Sequence, residues 1–147
     1  MIVFEKRGDI FDSTMQTLVC PVNTVGALGK GMAKQFKEHY PGLDGPYRRA
    51  CFTKVFARDG FFVWDAGKDD KILCLPTKMH WRDPSRLAWV DQALMAVARD
   101  WEKHGLHSMA IPAVGCGEGG LSWDNVRPLI HEHFGKHPLH VGIFTPI

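Results

Sequence analysis

Cysteine is scarce in this chain, and no two cysteines are spaced as a metal or redox pair. Cys20, Cys51, Cys74 and Cys116 form no CxxC, and Cys20 and Cys74 lie inside apolar runs. Buried, reduced thiols are expected rather than a disulfide framework. Long apolar runs are missing too: none approaches the ~20 residues of a membrane-spanning helix. The first residues, Met1-Ile-Val-Phe-Glu-Lys6, lack the charged, apolar and small-residue succession of a secretory signal, so a cytoplasmic protein with no membrane partner is expected. Excess charge of one sign is absent. Eighteen Lys and Arg face sixteen Asp and Glu, a net charge of +2, which permits an anionic ligand without demanding nucleic acid. There are no repeats, linkers or low-complexity stretches, so residues 1–147 read as one domain, with an ordinary 45% apolar and 23% charged content.

Familiar motifs are missing as well. Neither GxGxxG nor GxxxxGK[ST] occurs, so neither dinucleotide nor nucleoside triphosphate binding follows by motif. No Ser-His-Asp arrangement and no suitably spaced carboxylate pair stands out. Of eight histidines, His131, His133, His137 and His140 gather near the C-terminus. Gly135 and Pro138 interrupt the helix that would align His133 with His137, so no metal site is expected.

Glycine is abundant: there are fifteen, and they cluster. Gly26, Gly29 and Gly31 fall within Asn23-Thr-Val-Gly-Ala-Leu-Gly-Lys-Gly-Met-Ala33, and four more fall within Val114-Gly-Cys-Gly-Glu-Gly-Gly-Leu121. The first segment follows an apolar run at Thr17–Val22 and opens a helical pattern at Met32–Tyr40. A strand feeding a glycine-rich turn into a helix brings backbone amides close to a ligand and aims unpaired ones at it, a phosphate-binding arrangement. The alternative is a merely structural connection.

Hydrophobic periodicity supplies the rest of the framework. Strands are expected from Ile2 toward Gly8, at Thr17–Val22, Phe61–Trp64, Lys71–Leu75, Met109–Ile111 and Leu139–Phe144. The turn Gly67–Asp70 joins the third and fourth, and Pro76 is expected to stop the fourth. Helices are expected at Met32–Tyr40, at Leu43–Val55 and from an Asp83 cap with Pro84 at the first position to Gly105. A last helix follows Trp123, with its regular part from Asn125 because Pro128 suits only a first turn. Strands alternating with helices favour an α/β fold, a central mixed sheet with helices on both faces. In open sheets of this kind ligands sit beyond the carboxyl ends of the strands. Both glycine segments follow strands, so both belong on that rim and together suit a diphosphate.

Other rim residues carry chemistry. Asp9 follows the first strand, where a turn or cap role is the plain alternative. Asn23 closes the second strand and is expected to point into the cleft. Pro76-Thr-Lys78-Met-His80-Trp81-Arg82 follows another strand, and a partly desolvated lysine there can serve as nucleophile or base. The plain alternative is a solvated basic turn. His80, Trp81 and Arg82 suit nucleic acid, through a cation on phosphate and an indole on a base.

Four segments together resemble a known family. Gly8-Asp9-Ile10, Pro21–Ala33, Pro76–Arg82 and Ile111-Pro-Ala-Val-Gly-Cys-Gly-Glu-Gly-Gly-Leu-Ser-Trp123 look like a macrodomain. More narrowly they resemble the DarG type, an antitoxin macrodomain that removes ADP-ribose from DNA and is related to human terminal ADP-ribose glycohydrolase. The resemblance runs from Ile2 to Phe144 with the motifs in order. It implies a three-layer α/β/α sandwich around a six-stranded mixed sheet. It implies that Asp9 and Ile10 receive the adenine, with Phe144 nearby. Thr24, Gly29, Lys30, Gly31, Met32 and Thr77 would contribute to holding ADP-ribose, as would Val114, Gly115, Cys116, Gly117, Glu118, Gly119, Gly120 and Leu121. Asn23 would meet the distal ribose and Lys78 would carry hydrolysis, without a cofactor. In the human relative an aspartate of the second glycine loop assists; here Glu118 is adjacent to that place rather than equivalent to it.

The implied substrate is ADP-ribosylated single-stranded DNA, linked at thymine, with a DarT-like toxin as possible partner and the chain a monomer. The DarG type continues into a toxin-binding domain beyond its last strand, so the chain is read as an excised domain or a stand-alone, even phage-encoded, macrodomain. The alternatives are a non-catalytic ADP-ribose reader, or a hydrolase of glutamyl-protein conjugates, ADP-ribose 1″-phosphate or O-acetyl-ADP-ribose.

Overall fold

A computed structural model describes every residue except Lys68, Trp81 and Ile147. Lys68 of the expected Gly67–Asp70 turn and Trp81 of the expected basic segment therefore lie outside the described residues.

Six strands form one mixed sheet: β1 (Ile2–Arg7), β2 (Thr17–Asn23), β3 (Phe62–Gly67), β4 (Asp70–Lys78), β5 (Ser108–Pro112) and β6 (His140–Thr145). Their order across the sheet is β1-β6-β5-β2-β4-β3. All neighbours are parallel except β3, which returns antiparallel to β4. The helices are α1 (Gly31–His39), α2 (Asp44–Phe52), α3 (Val55–Asp59), α4 (Leu87–Asp100) and α5 (Trp123–Phe134).

Side chains alternate across each strand, and the two faces sort accordingly. Val19, Leu73, Leu75, Met109, Ile111, Val141 and Ile143 pack against Val90, Leu94 and Val97 of α4 and Val126, Ile130 and Phe134 of α5. Leu18, Cys20, Val22, Ile72, Cys74 and Ala110 pack against Phe36 of α1, Tyr47 and Ala50 of α2 and Phe56 of α3. The result is the three-layer α/β/α sandwich. Strands buried on both faces need apolar residues at every position, which is why Leu18–Cys20 and Ile72–Leu75 read as unbroken apolar runs.

Four local expectations are corrected. Helix α4 does not start at Asp83-Pro84 but at Leu87, with Arg86 as its cap. The residues before it are used elsewhere: the Ser85 amide donates to the Gly119 carbonyl at 3.0 Å and the Arg86 amide to the Thr77 carbonyl at 3.3 Å. The stretch Leu43–Val55 divides into α2 and α3 at Lys54, whose φ of 63° breaks the helical path. Pro128 lies inside α5, which starts at Trp123 under a cap from the Ser122 hydroxyl. The Asp124 carbonyl four residues back loses its amide donor there. Finally, β4 runs through Pro76 to Lys78. The β3 ladder has ended at the pair Phe62–Cys74, so no strand on that side demands the amide that proline lacks.

Candidate functional site

Five parallel strands bring their carboxyl ends to one rim, where a cleft of about 680 Å³ opens. That volume suits a small-molecule site. Gly8, Ile10, Phe144 and Pro146 line it where β1 and β6 end, and Thr77 and Lys78 where β4 ends. With neighbouring strands ~4.8 Å apart, four steps from β1 to β4 span about 19 Å, so the cleft suits an elongated ligand. Between these ends, Pro21, Val22, Pro112 and Ala113 come from β2, β5 and the residue after it, while the two glycine loops, Gly29–Gly31 and Gly115–Gly119, supply backbone.

The first loop is anchored from below by Leu28, which is buried with the α1–α3 core. Its last glycine, Gly31, has φ 58°, and a Cβ there would lie 3.2 Å from Cγ of Glu118. The two loops therefore meet across the cleft at this point. The second loop is closed at its base: the Leu121 amide donates to the Gly115 carbonyl at 2.9 Å. Gly119 is required by space alone. A Cβ on it would fall 2.2 Å from Ser85 Oγ and 2.5 Å from the Gly115 carbonyl oxygen.

The adenine-side residues expected from the sequence divide. Ile10 and Phe144 line the cleft, and the Phe144 ring meets Phe4 edge-on with centroids 5.3 Å apart. Gly142 makes this pairing possible, since a Cβ there would lie 2.2 Å from the Phe4 ring. The Lys6 ammonium sits 5.2 Å from the Phe144 ring centroid. Asp9 does not line the cleft; one carboxylate oxygen caps the turn Ile10–Asp12 by accepting from the Phe11 amide at 3.0 Å.

At the other end, Asn23 lines the cleft but is only 4% exposed, and its side chain is engaged by its own loop. Nδ2 donates to the Ala27 carbonyl at 2.7 Å, and Oδ1 accepts from the Val25 and Ala27 amides at 3.1 and 3.3 Å. The Tyr47 hydroxyl lies 2.7 Å from the Asn23 carbonyl and 2.9 Å from Oδ1. Burial pushes the Tyr47 phenol far above its usual range, so it is a permanent donor here. Thr77 and Lys78 line the cleft, with Thr77 Oγ1 accepting from the Ser85 hydroxyl at 3.3 Å.

Among the other expected ligand contacts, Lys30, Met32, Cys116, Gly117 and Glu118 line the cleft. Burial raises the Cys116 thiol, keeping it neutral. Thr24 lies outside, its amide and hydroxyl both donating to the Met79 carbonyl at 3.1 and 2.9 Å. Val114 and Leu121 turn into the α4–α5 core and Gly120 lies off the cleft, so these three hold the loop's shape. His80 Nδ1 accepts from the Arg82 amide at 3.1 Å, which folds the turn; neither residue lines the cleft. Among the described residues, no three His, Cys, Asp or Glu side chains gather as a metal site would require. His133 instead meets Asp91 at 2.6 Å and His137 meets the Ala98 carbonyl at 2.8 Å.

A macro domain family model matches residues 19–130. The chain belongs to the macrodomain family. Within it, the chain is similar to the macrodomain of Thermus aquaticus DarG, with TM-score 0.88 and 35% identity over 99% of both chains. It is also similar to a Thermosipho africanus DarTG structure in complex with ADP-ribose, with TM-score 0.88 and 33% identity over 95% of this chain and 40% of that one. A DNA ADP-ribosyl glycohydrolase of Mycobacterium tuberculosis is 38% identical over 89% of this chain and 38% of its own length. The chain thus spans about two fifths of the length of such curated relatives.

Two residues that shape the cleft of this macrodomain escaped sequence reasoning. Ser85 fell inside the helix expected from Asp83, yet it ties Thr77 to Gly119 and lines the cleft. Tyr47 looked like one apolar helix position, yet its hydroxyl braces Asn23. Only the second had a signal: a tyrosine buried in a core usually has a partner for its hydroxyl.

Proposed function

We propose that this macrodomain is an ADP-ribosyl hydrolase that removes ADP-ribose from modified single-stranded DNA, cleaving a thymine-linked ribose. The observation that carries this reading is the position of Lys78 at one end of an elongated cleft whose other end is lined by Ile10 and Phe144. ADP-ribose laid along it puts adenine at Ile10 and Phe144, the diphosphate between the glycine loops, and the distal ribose beside Asn23 and Lys78. Backbone amides and Lys30 then meet the anionic part of the ligand. The similarity to DarG macrodomains over essentially the whole chain supports the DNA-linked substrate.

In the reaction, the bond from the anomeric carbon to the base breaks and its electron pair leaves on the base, which takes up a proton. Water finally supplies the hydroxyl on that carbon. Lys78 acts at the anomeric carbon, and the Tyr47-braced Asn23 loop fixes the ribose against it. The reading takes residues 1–147 as one domain that works as a cytoplasmic monomer, repairing DNA modified by a DarT-like transferase.

The test is release of ADP-ribose from an ADP-ribosylated single-stranded oligonucleotide. Lys78→Ala should lower the rate about 100-fold or more while ADP-ribose still binds. Lys78→Arg keeps the charge without the nucleophile and should be equally impaired. A fully active Lys78→Ala protein, or no release by wild type at micromolar concentration, defeats the reading.

A further inference from the structure

A second cavity of about 390 Å³ adjoins the first. It exists because β4 outruns β3: the ladder stops at Phe62–Cys74, and β4 continues to Lys78. Beyond that point helices rather than a strand wall the β4 edge. Ala57 and Phe56 of α3 stand on one side, and Trp89 and Gln92 of α4 on the other, with Pro76 and Met79 from β4 and its continuation. Among the described residues, only Lys78 lines both cavities.

We propose that this notch receives the nucleobase to which the ADP-ribose is attached, so that the scissile bond lies across Lys78. This deepens the hydrolase reading above and rests on it. The chemistry of the notch fits one base of a single strand. Trp89 offers an indole to the notch, with the Arg86 guanidinium 5.2 Å from its ring centroid. Gln92 is exposed and carries both a donor and an acceptor for a base edge. Lys54 lines the notch from a left-handed backbone position, φ 63°, that a side-chain-bearing residue seldom adopts. Strain of that kind gathers at ligand sites.

The surroundings match a strand rather than an isolated nucleoside. Phe52, between the notch residues Cys51 and Lys54, is 86% exposed. Met79, in the lining, is 57% exposed, and Val25, beside the Thr24–Met79 hydrogen bonds, is 51% exposed. These exposed aromatic and apolar side chains, with the cations Lys54 in the lining and Arg86 on Trp89, suit stacking of neighbouring bases and contact with their phosphates. A protein acceptor needs neither a stacking ring nor these cations.

The experiment compares wild type with Gln92→Trp, which fills the notch from an exposed position, and with Phe52→Ala. Affinities are measured by calorimetry on a hydrolysis-impaired Lys78→Ala background for three ligands: free ADP-ribose, an ADP-ribosylated single-stranded oligonucleotide and an ADP-ribosylated glutamyl peptide. The notch predicts that the oligonucleotide conjugate binds at least tenfold tighter than ADP-ribose. Gln92→Trp should abolish that advantage and Phe52→Ala should reduce it about threefold, both leaving free ADP-ribose within twofold. In the Lys78-containing protein, Gln92→Trp should lower kcat/KM on the oligonucleotide at least tenfold. Equal affinity for conjugate and free ADP-ribose, an advantage that survives Gln92→Trp, or a larger advantage for the peptide overturns the proposal. Inactivity of the wild type on DNA defeats the hydrolase reading but leaves these affinities to judge the notch.

Discussion

Asn23→Ala separates two roles that one position combines. The side chain clamps its own loop through Nδ2 to the Ala27 carbonyl and through Oδ1 from the Val25 and Ala27 amides. Truncation leaves those three backbone groups without their partner, while the Tyr47 hydroxyl retains the Asn23 carbonyl at 2.7 Å. At about 0.5–1.5 kcal/mol net for each lost bond, and with water able to reach part of the loop, the loss sums to about 2–4 kcal/mol. For a domain of this size about 2–4 °C follows each kcal/mol, so the thermal midpoint should fall by roughly 4–16 °C. Because Gly29–Gly31 hang from the same loop, ADP-ribose affinity should fall with it. Thermal unfolding by circular dichroism, calorimetry with ADP-ribose and kcat/KM on the DNA conjugate together make the assay. Tyr47→Phe, which removes the brace without touching the cleft, should shift all three in the same direction by about 1–2 kcal/mol. An Asn23→Ala protein that keeps its midpoint within ~1 °C and its ADP-ribose affinity, yet loses turnover, would refute the clamp and make Asn23 a purely chemical residue.

Further expectations follow from other parts of the molecule. Gly119→Ala forces a methyl group into Ser85 and the Gly115 carbonyl, so the second loop must shift; overpacking of about 1–3 kcal/mol and at least ~10-fold weaker ADP-ribose binding should appear in melting and calorimetry. Burial raises the thiols of Cys20 and Cys74, first by desolvation, so both stay protonated in the fold while the unfolded chain ionises at about pH 8.5. Their contribution to stability is therefore full below that pH and declines above it, and the midpoint should drop between about pH 8.5 and 10.5. Rapid alkylation of either thiol in the native protein at pH 8, read by mass spectrometry, would contradict this. The Arg127 guanidinium, hydrogen-bonded to Glu5 at 2.6 and 2.8 Å, holds that carboxyl below its usual range. Its help to β1 and α5 is present above the unfolded carboxylate value and lost as pH falls through the folded one. Arg127 is about half exposed, so Glu5→Gln should cost about 0–1 kcal/mol at pH 7 and nothing at pH ~2, as urea melts would show.

Much of the fold was legible because burial writes itself into periodicity. The apolar runs of β2 and β4 and the three- and four-residue spacing of Leu87, Val90, Leu94, Val97 and Trp101 each name their own environment. What misled was local chemistry that tertiary contacts overrode. Asp83-Pro84 is a good helix start in isolation, but the amides of Ser85 and Arg86 find partners on Gly119 and Thr77 instead. Pro76 is a good strand stop, but only against a neighbour that needs its amide, and β3 has already ended. The glycine loops were legible as parts of the rim because each follows an apolar strand run. Val114 and Leu121, within the same run, proved to be core anchors, since the apolar flanks of a loop carry no mark of which way they face.

The sequence by itself determined the class of the chain, the order of its strands and the placing of both glycine loops after strands. Those properties depend only on period, composition and spacing along the chain. The tertiary structure alone decided that Lys78 stands between two cavities, that Glu118 meets Gly31 across the cleft, and that Tyr47 braces Asn23. Each joins residues separated by 24 positions or more, or depends on where one strand ends beside another, and neither pairing nor register is written in local sequence.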